Sequence, residues 1–308
     1  MRYLKQKAGH EGNLAVQKPV FQLQIRSNEM KKFAVLLAGL MLVGLSISVL
    51  AQEEITLYAV GIPDDKIPTI DGDLDDWAWV PELYAVTEWG YAPLLEPEDA
   101  DDLSIIWRFG WNDTNNKLYG AVRVHDNNIL LGESGGTYAW DSIEIFLDPG
   151  LTRGRHYFDK DTHIADEGTQ WWLTARPDWP TLGIYSGPDP DTYWYPQEPY
   201  AKGAARVEGN EIYYEFYITP YLVVNWDGED LSTPFDLEPG TTIGWRVGVD
   251  DADLGLNKNG EDGATTGEYW QSYIDPGSAW GRGPMILTPT EVVAVAPGQW
   301  GAIKALFR

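Results

Sequence analysis

The stretch YAWDSIEIF, residues 138–146, sets Trp140, Asp141, Ser142 and Glu144 within a few positions of one another. An indole offers a flat apolar face. Carboxylates accept hydrogen bonds from hydroxyls. Together these groups suit a ring that is apolar above and below and hydroxylated around its edge, as a sugar is. Trp140 stands just before a strand pattern, where a side chain can project at a sheet rim. Alternation along that strand puts Asp141 and Glu144 on opposite faces and leaves Glu144 beside Ser142. Trp140 used as strand-end packing is the competing reading, and the sequence leaves both open.

A second constellation lies in DDADLGLNKNGEDG, residues 250–263. Asp251, Asp253, Asn257, Asn259 and Glu261 alternate oxygen-bearing side chains with glycine and leucine. Calcium accepts such an all-oxygen set at flexible geometry. The order is not that of an EF-hand loop, and a solvated acidic loop is the alternative. Transition-metal chemistry has little to work with. The chain has no cysteine, and beyond residue 51 its histidines are His125, His156 and His163, with Met285 the one methionine. Neither a zinc site nor an axial pair for haem is expected from that set. Carboxylates are plentiful, but no hydrolase motif organises them, so the chain reads as non-catalytic.

These groups need a frame, and the frame reads as strands. LSIIWRF (103–109) alternates, with Leu103, Ile105, Trp107 and Phe109 on one face. KLYGAVRVH (117–125) follows the turn cluster NDTNN, and DSIEIFLDP (141–149) sets Ile143, Ile145 and Leu147 against Ser142, Glu144 and Phe146. TQWWLTAR (169–176) is another strand. AARVEGNEIYYEFYIT (204–219) reads as a hairpin turning at Gly209-Asn210. TIGWRVGVDD (242–251), EYWQSYID (268–275) and PMILT (284–288) complete the set. Many short strands with turn-rich connections predict an all-β, antiparallel sandwich of the immunoglobulin or jelly-roll kind over residues 52–290. Two long connections remain, 177–200 and 250–267. Trp179, Tyr193, Trp194 and Tyr195 in the first either line a cleft or pack on one another.

In IDGDLDDWAWV (70–80), Gly72 permits a tight turn while Asp71 and Asp73 can accept backbone N–H groups or hold a cation. Leu74 and Trp77 are spaced to plug a sandwich end from a single helical turn, with Trp79 half-exposed beside them.

At the N-terminus, Lys31 and Lys32 precede an apolar run, Phe33–Leu45, and then Val49 and Ala51 before Gln52. This is the layout of a signal peptide over 30–51, with 1–29 an upstream start and export to the periplasm, cell surface or medium as the expectation. No membrane insertion is expected after cleavage. Removing the seven basic and two acidic residues of 1–51 from 22 and 47 leaves 15 against 45, a formal charge of about −30. Such a surface repels nucleic acid and anionic membranes. Aromatic residues are 13% of the chain, fifteen of them tryptophan, which is more indole than a core needs and favours stacking surfaces. Residues 291–308 form a tail, either frayed or an attachment element.

The opening motif IDGDLDDW resembles the start of family 9 carbohydrate-binding modules and their relatives. WNDTNNKLYGAVRVHDNNI, WDSIEIFLDPG and IGWRVGVDDAD resemble, in order, three later segments of that family. The resemblance spans roughly residues 67–287. It implies a β-sandwich holding a sugar between two tryptophans, with a carboxylate and amides around it. Trp140 matches the first tryptophan by its place before the DS-x-E strand. Trp270 with Gln271 matches the second region, and Trp280 competes for that role. The resemblance also implies structural calcium in some relatives, while others bind haem or are purely structural. The expectation is therefore a secreted, non-catalytic protein that binds a polysaccharide or oligosaccharide. The alternative is a structural or adhesive surface protein without a sugar pocket.

Overall fold

The computed structural model describes residues 56–87, 103–132, 140–152, 159, 161–185, 194–256, 262–270 and 283–290, the side chains of 83, 253–256 and 262–270 excepted. The expected signal segment and the tail lie outside them. The strands are β1 (Leu57–Gly61), β2 (Leu103–Asn112), β3 (Lys117–Asp126), β4 (Ser142–Asp148), β5 (Ile164–Ala165), β6 (Thr169–Thr174) and β7 (Leu182–Ile184). They continue with β8 (Ala201–Glu208), β9 (Glu211–Ile218), β10 (Tyr221–Asn225), β11 (Thr233–Pro234), β12 (Thr242–Leu256), β13 (Asp262–Trp270) and β14 (Gly283–Leu287). The other regular elements among the described residues are short 3-10 turns, and no helix there is long and apolar enough to cross a membrane.

One large sheet runs β7-β6-β4-β12-β14-β1-β2-β3-β9-β8, with β13 also paired to β12. It bends back on itself until its ends meet: a β-carbon added at Gly203 on β8 would fall 2.6 Å from Cβ of Leu182 on β7. The two halves face each other as a sandwich that is nearly closed into a barrel. Pairing is antiparallel except for β1, which runs parallel to both β14 and β2 and joins the halves. β10 with β5 and β11 forms a separate small sheet.

The expected inward stripes are buried. Leu103, Ile105, Trp107 and Phe109 of β2 meet Ile143, Ile145 and Leu147 of β4 and Trp245, Val247 and Val249 of β12 in one core. Aromatic contacts cross it, with Phe109 edge-on to Trp245 at 5.3 Å and Phe216 of β9 stacked on Trp245 at 6.5 Å. Trp111 donates from Nε1 to the Thr288 carbonyl at 2.8 Å, so even its one polar atom is satisfied.

A second apolar cluster lies outside the β2-β3-β9 half, where Ile70, Trp77, Val80 and Tyr84 cover Tyr119 and Ala121. Here the Asp-rich motif takes its shape. Gly72 sits at φ +83°, Asp73 N–H donates to Asp71 at 2.9 Å, and Asp75 N–H donates to Asp73 at 3.2 Å, starting the 3-10 turn Leu74–Trp77. Glu215 of β9 closes it from below. Its carboxylate accepts from Asp71 N at 3.1 Å, Gly72 N at 3.0 Å and Trp77 Nε1 at 2.9 Å.

Two expected loops differ from the reading above. Residues 250–267 are largely a hairpin, because β12 continues to Leu256 and pairs with β13, Ala252 opposite Thr266 and Asp253 opposite Thr265. The β-branched threonines offset the poor strand propensity of the acids. The Pro-rich stretch contains β7, and past it Trp194 and Tyr195 pack on each other and on Tyr221, all three in or against the core. Tyr193 lies outside the described residues.

Candidate functional site

Three apolar alternations end in aspartate at the same end of the core. On β3 the inward series Val122, Val124 continues to Asp126; on β12 Val247, Val249 continues to Asp251; and Asp141 stands one step before Ile143 and Ile145 of β4. Neighbouring inward positions in a strand share a face, so the three carboxylates converge between the half-sheets. One oxygen from each lies within 4.8 Å of one from each of the others, and each residue is at most 5% exposed. Asp141 accepts from Ala252 N at 2.8 Å and from Leu130 N, which ties the segment after β3 to β12. Burial, and then the charge of Asp126, pushes the Asp141 carboxyl up to about 9. The expected strand alternation thus holds: Asp141 turns inward and Glu144 outward.

The outward face of the β6-β4-β12 half carries a different set. Glu144 sits opposite Trp172 of β6 on one side and Gly248 of β12 on the other. Gln170 donates from Nε2 to Glu144 at 3.1 Å. One row along, Arg246 lies over the Phe146 ring at 5.1 Å, on the same face. Ser142 donates to Asp250 at 2.8 Å in the row on the other side of Glu144. Trp172 rests on Gly183, where an added β-carbon would fall 2.1 Å from Cζ2. Trp179 lies 5.6 Å from Trp172 and receives the guanidinium of Arg176 at 4.5 Å. A carboxylate, an amide, a guanidinium and indoles therefore share one sheet face, on which Glu144, Trp172 and Arg246 are themselves buried.

Trp140 stands half-buried at the edge of this face. A β-carbon at Gly132 would fall 2.0 Å from Cδ2 and 2.1 Å from Cε2 of its indole. Those are the ring-fusion atoms, reachable only from above or below, so the Gly132 backbone is pressed flat against one face of the ring.

No protein-family model matches the sequence, and no curated protein matches it. Among solved structures, the fold is similar to a family 9 carbohydrate-binding module from Caldicellulosiruptor kristjanssonii in complex with cellotriose. That likeness has 18% identity and a TM-score of 0.48, and covers 79% of this chain and 98% of that one. The module from the same organism in complex with glucose gives 17% identity and a TM-score of 0.47, covering 78% of this chain and 100% of that one.

Of the residues singled out from sequence, Trp140, Asp141, Glu144 and Asp251 lie at one end of the β4-β12 half, on its two faces. Trp270 ends β13 opposite Gly248, in backbone register with Glu144 and Trp172. Gln271 and Trp280 lie outside the described residues, as do Asn257, Asn259 and Glu261 of the expected calcium set. Asp253 is a β12 residue rather than a loop residue. Sequence reasoning passed over Gln170, Trp172 and Arg246, each placed outward by simple alternation on strands it had found. It also passed over Asp126.

Proposed function

We propose that this chain is an exported, non-catalytic protein that binds the sugar units of a polysaccharide or oligosaccharide on the outward face of β6, β4 and β12. The supporting observation is the Glu144–Gln170 pair flanked in register by Trp172 and Trp270, with Arg246 beside it. Carboxylate, amide and guanidinium supply acceptors and donors for ring hydroxyls, and Trp140 at the margin supplies a stacking plane already backed by Gly132. The motif resemblance carried by WDSIEIFLDPG and IGWRVGVDDAD supports the same assignment.

The test is a glycan array of neutral and acidic oligosaccharides, followed by calorimetry on whatever binds. Trp140→Ala should weaken binding about tenfold or more by removing the stacking plane and the area it buries, and Glu144→Gln by a similar factor, since a buried polar partner is worth about 1–3 kcal/mol. Trp270→Ala and Trp280→Ala compare the two candidates for the second plane. A folded protein that binds no glycan supports the structural or adhesive reading instead. Export is tested by N-terminal sequencing of the processed protein, with Gln52 expected first.

A further inference from the structure

Between β6 and β7 the chain turns through Arg176, Pro177, Asp178 and Trp179, and Trp179 N–H reaches back to the Arg176 carbonyl at 3.4 Å. Proline at the second position presets the backbone of such a turn. The turn holds a cation that its surroundings only half satisfy. A guanidinium carries five N–H donors. Those on Nε and Nη2 reach Asp178 at 3.4 and 3.2 Å, longer than the about 2.7–2.9 Å of a well-formed pair of opposite charges. Nη1 is buried and has no hydrogen-bond partner among the described residues. Trp179 lies against the guanidinium at 4.5 Å and holds its plane. The Arg176 side chain is 0% exposed and that of Asp178 is 59% exposed, so the carboxylate is the member free to swing away. Position matters as much as charge. β4 and β6 pair Glu144 with Trp172 and Ser142 with Thr174, and the same register two residues further on sets Arg176 opposite Trp140. Trp179 also lies 5.6 Å from Trp172, so the turn adjoins both indoles of the outward face.

We propose that Arg176 reads a carboxylate on the bound sugar, so that the glycan is an acidic one: a hexuronate unit stacked on Trp140 places its carboxylate in the Arg176 fork as Asp178 withdraws. In the free protein Asp178 stands in for that group. The inference rests on the sugar face proposed above and narrows what that face takes. A carboxylate presents two oxygens in one plane, which the parallel N–H bonds of a guanidinium match. The hydroxymethyl of a neutral hexose offers one oxygen and no charge. The chain's net charge of −25 repels anions at a distance, so a preference for an acid reports a built contact rather than general attraction.

The experiment compares, by calorimetry on the full chain, a hexuronate oligosaccharide with the same oligosaccharide after its carboxyls have been reduced to alcohols. Wild type should bind the acid about tenfold or more tightly than the alcohol. Arg176→Gln should make the two bind alike. Asp178→Asn removes the internal competitor, so it should widen the preference, and it decides the matter if Arg176→Gln does not fold. Equal affinity for acid and alcohol in wild type would overturn the acid reading and leave the sugar face standing. Binding of neither by a folded protein would remove the sugar face and this inference with it. A preference that survives Arg176→Gln, or that fails to widen in Asp178→Asn, would overturn the assignment to Arg176 and leave its pair with Asp178 a brace for the turn.

Discussion

Replacing Gly132 with alanine probes the proposed stacking plane without touching any atom that would contact a ligand. Gly132 has φ +60°, a region costing an ordinary L-residue about 1–2 kcal/mol. The added methyl would start 2.0–2.5 Å from three indole atoms of Trp140, where carbon contacts prefer about 3.5–4.0 Å. The indole must therefore retreat by about 1.5 Å, or the loop must lift by as much. Either motion takes the ring out of register with Glu144. Aromatic stacking is worth about 0.5–1.5 kcal/mol beyond the area it buries, so affinity should fall about tenfold, equivalent to about 1.4 kcal/mol. Calorimetry with the oligosaccharide found on the array measures this beside Trp140→Ala, which should lose at least as much. Denaturant unfolding should show the variant folded but about 1–2 kcal/mol less stable. If Gly132→Ala binds as wild type while Trp140→Ala does not, the indole is not seated on Gly132 and this reasoning fails. If both bind as wild type, Trp140 is not part of the site.

Other outcomes follow from the frame. Burial outweighs the three N–H groups donated to Glu215 and raises its carboxyl to about 7. A raised carboxyl stabilises the fold fully below its unfolded value, near 4.5, and that contribution is lost as pH rises through about 7. Melting temperatures from about pH 4 to about pH 8, which bracket both values, should therefore fall more steeply in wild type than in Glu215→Gln. Gly120 of β3 lies under Phe216, where an added β-carbon would fall 2.2 Å from Cζ. Gly120→Ala should thus cost about 1–3 kcal/mol by overpacking, seen as a lower urea midpoint. Trp77→Phe removes the donor to Glu215 Oε1 and part of the second core, and should cost about 2 kcal/mol in the same assay.

The strands of the core were legible because β2, β3, β4 and the start of β12 alternate, one face apolar until β3 and β12 reach Asp126 and Asp251. The turn at Gly209-Asn210 was legible too, and Gly209 has the positive φ of 63° that such a hairpin needs. The continuation of β12 past Asp250 was not. Aspartate and glycine are poor strand formers, and only the pairing with Thr265 and Thr266 across the hairpin makes them one. Glu215 sits between Tyr214 and Phe216 and reads locally as a solvated outward residue. Its role depends on a turn more than a hundred positions earlier in the chain. The buried aspartates did leave a trace, since Asp126, Asp141 and Asp251 each occupy an inward position of an apolar alternation. Their convergence depends on how two half-sheets face each other, which no local pattern encodes.

The parallel pairing of β1 with β14 sets Leu57 beside Met285 and Ala59 beside Leu287. The seam of the sheet therefore joins stretches from nearly opposite ends of the described residues. Until β14 has been made, β1 and β12 each lack one neighbour, and both sides of the gap expose unpaired backbone. Contacts this distant in sequence slow assembly. The sheet therefore stays open along this seam until β14 has been made, and the strong negative charge of the chain opposes contact between copies meanwhile.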